Sequence, residues 1–446
     1  ALIDLGYDDT LDDYVLTANI SGVTTLDVSN KEISDLTGIE AFTALTVLKI
    51  FNNKLTSLDV SANTALTTLD FCANQLTSVD LSKNTALTKL TSCDNKLTSL
   101  DVSNNTALFY LHTGGNPLTS LDVSANTALT ELHTNSMALN SLDVSKNTAL
   151  KMLFTAANNL TSLDVSSNTA LEYLHAGRNL LTSLDVSKNT ALISIEVWDN
   201  ALTSLDVSNN TALNNLWCAD NQLTSLDVSN NTALIELNVG NNSLTSLDVS
   251  ANTALTTLDC RSNKLTSLDV SKNTALDYLH CATNKLTSLD VSSNTNLTHL
   301  NCDGNQLTSL DVSKNTALKL LMCSRNQLTS LDVSSNTVLK ELQVEDTQLT
   351  SLNMRNGVTD LLTYFNARNN PNLTCIEVLD PAWATANWTS AKENIGAGVT
   401  FAFICGVDVD GVSTYNTNGI KAITFNVELP THSLPDTDIS LGFWKS

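Results

Sequence analysis

The sequence predicts a solenoid, mainly β, with parallel strands, little helix and a cap at each end. Three observations predict it. Fifteen leucines, from Leu45 to Leu339, recur at an unbroken spacing of 21 residues. A second ladder, from Leu55 to Leu349, runs in step with the first. Between the ladders stands a near-constant phrase, L-T-S-L-D-V-S-x-N-T-A-L. Self-similarity at a short fixed period marks coils that bury their apolar edges against their neighbours. A chain of 446 residues exceeds what one globular core usually holds, and a core that grows along one axis escapes that limit.

Residues 1–22 precede the repeat. Asp8, Asp9, Thr10, Asp12 and Asp13 surround Leu5, Tyr7, Leu11, Tyr14 and Leu16, a pattern that suits one or two short helices with acidic first turns. They are expected to form an N-terminal cap over the open end of the core. The solenoid occupies residues 23–373, about 16 coils. Its first unit, carrying Val23, Leu26, Val28, Ile33, Leu36, Ile39 and Phe42, is 22 residues long. At the far end Asn353 and Met354 replace the usual Asp and Val, and Leu362, Phe365, Ala367, Asn370 and Leu373 trace a last coil.

Residues 374–405 change character and read as a C-terminal, β-like cap, with Trp383 and Trp388 covering the last coil. Cys375 and Cys405 bracket it. A disulfide between them would close a loop of ~30 residues and stabilise by ~3–4 kcal/mol, so the bond is expected. Residues 406–446 carry short β-like runs such as Ile423–Val427 and read as a β-rich extension or the start of a further module.

Within one coil the first half reads Leu66-x-x-Leu69-x-Phe71-x-x-Asn74-x-Leu76. The fourth and sixth positions alternate inward along a short strand, and the Asn turns inward at the corner to bond backbone of successive coils. The second half, Leu76-x-x-Val79-Asp80-Leu81-x-x-Asn84, repeats the logic in extended or turn segments. This L-x-x-L-x-L-x-x-N-x-L segment with its nested second half resembles the 21-residue bacterial leucine-rich repeats. The opening A-L-I-D-L-G-Y-D-D, the D-L-T-G-I-E-A-F-T-A-L stretch and the closing N-P-N-L-T-C-I-E-V resemble secreted surface proteins of Bacteroidetes-type bacteria. The likeness covers about residues 1–405 and implies export to the cell surface or the medium.

The two sides of the coil differ in how much they vary. The L-T-S-L-D-V-S side barely changes. On the other strand the outward position after the fourth residue changes at every coil and includes His112, His133, Phe154, His175 and Trp217. Beside it stand Phe109, Tyr110, Met152, Tyr173 and Trp198. Aromatic side chains on a rigid surface are the usual anchors of protein or sugar contacts, so these ten residues form the expected ligand-binding face. His112 and His133, ~5 Å apart on adjacent strands, would need Glu131 as a third ligand to hold an ion, and solvated histidines are the expected state.

The constant side carries fourteen aspartates, from Asp59 to Asp332, again 21 residues apart. At ~4.8 Å each neighbouring pair would repel by ~0.9 kcal/mol in water. Hydrogen bonds from flanking Ser and Thr are the expected offset, and calcium between carboxylates is the sharper alternative. Cys218, Cys260, Cys281, Cys302 and Cys323 take the inward sixth position as small apolar residues and are expected as free thiols. Cys72 and Cys93 sit one position later, spaced as a pair.

Net charge is −23, which repels nucleic acid and anionic lipid. No apolar run is long enough to span a membrane. No nucleophile–base–acid set, phosphate loop or H-E-x-x-H recurs, so catalysis has no residues to stand on. The expectation is a non-catalytic, secreted or surface-exposed binding and adhesion protein without a cofactor, recognising a protein or glycan at a cell surface. The alternative is a structural protein that self-assembles laterally or end to end.

Overall fold

A computed structural model describes residues 2–9, 14–406, 414–417 and 420–423. Seventeen strands of three residues each, from Thr25–Asp27 to Tyr364–Asn366, form one parallel sheet whose order follows the chain. The register repeats without a slip: Leu153 pairs with Leu174, flanked by Met152 with Tyr173 and Phe154 with His175. The irregular last coil read in the sequence supplies the seventeenth strand, in which Phe365 takes the strand-middle place that leucine holds in most coils and pairs with Leu342.

Each strand of this sheet buries its middle residue, and all but three leave both flanking ones at least partly exposed, as period-two geometry favours; Ser194, Asp259 and Asn366 are the buried exceptions. Leu69, Leu90 and Leu111 are fully buried, and so are the ladder residues Leu66, Leu87 and Leu108. The opposite side of the coil is built from turns, in which Asn63 N–H donates to Val60 O at 3.0 Å and Leu66 N–H to Asn63 O at 3.1 Å. Among the described residues, strands form there only near the far end, where Ser330–Asp332, Ser351–Asn353, Cys375–Glu377 and Thr400–Ala402 make a second sheet.

Two asparagine ladders tie the coils together. At the corner, Asn179 Nδ2 donates to Thr155 O at 3.0 Å, Ala176 O at 3.1 Å and Gly177 O at 3.2 Å. Its Oδ1 accepts the Leu160 N–H at 3.1 Å. The residue before the corner sits in the left-handed region, with Arg178 at φ 54° and Ala157 at φ 56°. That conformation is costly for a residue with a Cβ, and the corner amide's bonds hold it in place. The second ladder lies deeper: Asn168 Nδ2 reaches Val144 O at 3.0 Å and Asn147 O at 2.8 Å.

The ends differ from expectation in detail. Among the described residues of the N-terminal region there is one short α-helix, Thr17–Ile20, with no acidic residue in its first turn. Thr10, Leu11, Asp12 and Asp13 lie outside the described residues. The region expected to be a β-like cap contains a seven-residue helix, Pro381–Asn387. Asp380 and Pro381 explain it: the Asp380 carboxylate caps the Trp383 N–H at 2.9 Å, and proline at the first position lacks an N–H to satisfy. Trp388 then packs on Phe365 of the last main-sheet strand, with ring centroids 4.3 Å apart. Beyond the cap, Thr414–Thr417 pairs antiparallel with Ile420–Ile423. The rest of the expected Ile423–Val427 run lies outside the described residues.

The aspartate ladder is held by local hydrogen bonds. Each carboxylate accepts from the serine two residues on, as in Ser103 N–H to Asp101 Oδ1 at 2.9 Å and Ser166 N–H to Asp164 Oδ1 at 2.9 Å. The serine hydroxyl and N–H hold the carboxyls of Asp101, Asp164 and Asp206 below the usual range, against smaller repulsion from neighbouring aspartates. A folded-state pKa below the unfolded value, ~3.9, gives stability that is present above that pH and lost as pH falls through the lowered values. We expect the melting temperature to drop between pH 5 and pH 3 in a far-ultraviolet circular dichroism melt. A rise over that range would mean that relief of repulsion outweighs the lost hydrogen bonds.

Candidate functional site

Strands of the 17-stranded sheet carry eight of the ten residues of the predicted binding face, while Phe109 precedes its strand and Trp198 follows its own by two residues. Parallel, in-register pairing places equivalent positions of successive coils side by side, so changing side chains become neighbours. His133 stacks on Phe154, with ring centroids 4.6 Å apart and planes 10° from parallel. His112 lies 5.0 Å from His133, and Tyr110 lies 5.6 Å from it. Phe154 meets His175 edge-on at 6.2 Å, and His175 lies 6.3 Å from Trp198. Six of the predicted residues thus form one continuous run of rings. Met152 and Tyr173 stand in the parallel row beside it.

Trp198 depends on its neighbour in the preceding coil. A Cβ at Gly177 would lie 2.9 Å from the Trp198 indole, so only glycine lets the ring cross at that point. Trp198 and Trp217 line a shallow groove with Glu196, Asn238 and Arg261. Phe109 and Trp217 are the predicted residues with the largest exposed ring surface, at 47 % and 36 %. The other eight are half-buried rather than fully exposed, because each covers part of the next.

Several charged groups on this face have close partners. His133 Nε2 contacts Glu131 Oε1 at 2.6 Å, so the carboxylate considered as a third metal ligand is held by its own strand. His175 Nε2 lies 3.5 Å from Glu196 without hydrogen-bond geometry. Burial, and then His133, push the His112 imidazole below its ordinary value. Lys89 Nζ sits 4.3 Å over the Tyr110 ring. Further along, His280 and Arg261 both approach Asp259, at 3.6 Å and 3.3 Å. Sequence reasoning left Arg261 out of the site. It stands at the seventh position of its coil, where small residues such as Ala219 and Gly240 are common, and that contrast was the available signal.

The inward cysteines form a row. Cys260, Cys281, Cys302 and Cys323 occupy consecutive coils, fully buried as free thiols, with Cys218 earlier in the same position. Burial pushes the thiols of Cys218 and Cys281 up to about 12, so they carry no thiolate at neutral pH. The structure joins Cys72 to Cys93 and Cys375 to Cys405.

No protein-family model and no curated protein matches the chain. Among solved structures, InlJ from Listeria monocytogenes, whose functional domain includes a cysteine ladder, is 37 % identical over 79 % of this chain and 74 % of its own, with a TM-score of 0.66. This chain is a leucine-rich repeat protein. Other leucine-rich repeat structures share the fold at lower identity. A protein of Leptospira interrogans matches at 24 % identity and a TM-score of 0.68, covering 75 % of this chain and 92 % of that one. The Arabidopsis receptor kinase HAESA, in complex with a peptide hormone and a co-receptor, matches at 17 % identity and a TM-score of 0.52, covering 86 % of this chain and 80 % of that one. Among the described residues of this leucine-rich repeat protein, no helix is long and apolar enough to cross a membrane.

Proposed function

We propose that this leucine-rich repeat protein is a non-catalytic binding protein that acts outside the cell, at the outer surface or in the medium, and recognises a protein or glycan through its variable strand face. One observation carries the reading: the two sides of each coil obey different rules. On the turn side the same residues recur from coil to coil and serve hydrogen bonds within the coil, as Asp101 and Ser103 do. On the sheet side the same rigid spacing holds rings that differ from coil to coil and touch one another. Pre-organised aromatic surface binds at low entropic cost, since the side chains are already ordered. The likeness to InlJ and the peptide-hormone complex of HAESA are in keeping with a binding role.

The test is an array of glycans and cell-surface protein fragments probed with the wild type and with a Phe109→Ala, Trp217→Ala variant. We expect the wild type to bind at least one feature and the variant to lose about ten-fold or more in affinity, the loss expected when an anchor ring worth ~1.4 kcal/mol or more is removed. Equal binding by both would move the site off this face.

A further inference from the structure

The Cys72–Cys93 pair stands apart from the inward cysteine row. The two residues take the seventh position of consecutive coils, where the following coils carry Gly114, Asn135 and Ala156. The strand of the next coil brings His112 alongside them. Cys72 Sγ, Cys93 Sγ and a ring nitrogen of His112 all lie within 4.8 Å of one another. A tetrahedral zinc ion with ~2.3 Å bonds to sulfur and ~2.0–2.1 Å bonds to nitrogen needs ligand atoms ~3.3–3.8 Å apart, within reach of small side-chain rotations. Both cysteines are buried and His112 is half-buried, so the sulfurs are held in the packed coil while the site stays open to water on the histidine side.

We propose that Cys72, Cys93 and His112 form a redox-gated site for a thiolate-seeking divalent transition metal, zinc being the type. In the oxidised protein both sulfurs are committed to the disulfide and the site takes no ion. A dithiol reductant supplies two electrons and two protons. The S–S bond breaks, two thiols form and the reductant leaves as its own disulfide. Metal binding then releases both thiol protons to solvent, and the two thiolates and the neutral His112 nitrogen each form one bond to the ion. Water completes the coordination shell. Under oxidising conditions the same pair acts as a cross-link between coils; under reducing conditions the metal takes over that role.

Cobalt(II) tests this. It is titrated under nitrogen into the full chain, either oxidised or reduced with a phosphine, and read by its tetrahedral d–d and thiolate-to-cobalt charge-transfer bands. We expect the reduced wild type to bind one cobalt with charge-transfer bands that zinc bleaches, and the oxidised protein to show none. Cys72→Ser, Cys93→Ser should lose the bands while keeping the circular dichroism of the folded solenoid, and the other cysteines it retains serve as its internal control. His112→Ala should bind about ten-fold more weakly or worse. Unchanged bands in the double serine variant, undiminished affinity in His112→Ala, or no bands in the folded, reduced wild type would each overturn the proposal.

Discussion

Replacing Asn179 with leucine is expected to destabilise the surrounding coils by about 2–4 kcal/mol, although the two side chains have similar volume. The amide offers two donor hydrogens, shared among Thr155 O, Ala176 O and Gly177 O, and one acceptor, which takes the Leu160 N–H. Leucine supplies none of these. Each buried group left without a partner costs ~1–3 kcal/mol. The Thr155 carbonyl keeps the Asn158 amide at 3.1 Å, and the Ala176 carbonyl keeps the Asn200 amide at 3.1 Å. The largest loss therefore falls on the Leu160 N–H, and the total stays below a simple sum over four groups. Coils of a solenoid are stabilised by their neighbours, so damage at one corner should broaden or split the unfolding transition. Urea denaturation followed by circular dichroism measures it. The exposed neighbour Arg178→Ala should stay within about 0.5 kcal/mol of the wild type. A variant as stable as the wild type would show that the corner ladder does not bind the coils together.

The second large effect concerns the C-terminal cap. Cys375→Ser, Cys405→Ser removes a cross-link spanning 30 residues. Chain entropy alone predicts a loss of ~3–4 kcal/mol. The loss should be local, because the bond joins the strand Cys375–Glu377 to the chain just beyond Thr400–Ala402, while the long sheet does not depend on it. Trp388, packed on Phe365 and 5.6 Å from Trp383, reports on the region directly. Tryptophan emission should therefore shift to the red at lower temperature than the far-ultraviolet signal changes. Coincident transitions at the wild-type midpoint would mean that packing alone holds the cap.

Most of the fold was legible in the sequence because a solenoid turns sequence period directly into spatial neighbourhood. The ladder leucines became buried core beside the strands, and the residue three places after each rung of the first ladder became the buried middle of a strand. The corner asparagines became the backbone-bonding row, and the inward cysteines became buried thiols. What was not legible depends on side-chain direction. The sequence put His112, His133, Phe154, His175 and Trp198 on one face, but only coordinates show that they stack and half-bury one another. The convergence of His112 on Cys72 and Cys93 needs the offset between positions five and seven of adjacent coils, which spacing along the chain does not give. The cap helix Pro381–Asn387 was missed because its apolar, tryptophan-rich run reads equally as strand, although Asp380-Pro381 was the available start signal.

The central claim is that the two sides of this solenoid have divided labour, with recognition on the strands and architecture on the turns. One measurement tests it most directly: affinity for whichever array partner the wild type binds, compared between two variants. Phe109→Ala, Trp217→Ala alters the strand face. Ser162→Arg, Ser183→Arg puts bulk and positive charge on the exposed turn side. The account predicts about ten-fold or greater weakening in the first and wild-type affinity in the second. The reverse pattern, with binding lost only when the turn side is obstructed, would contradict it.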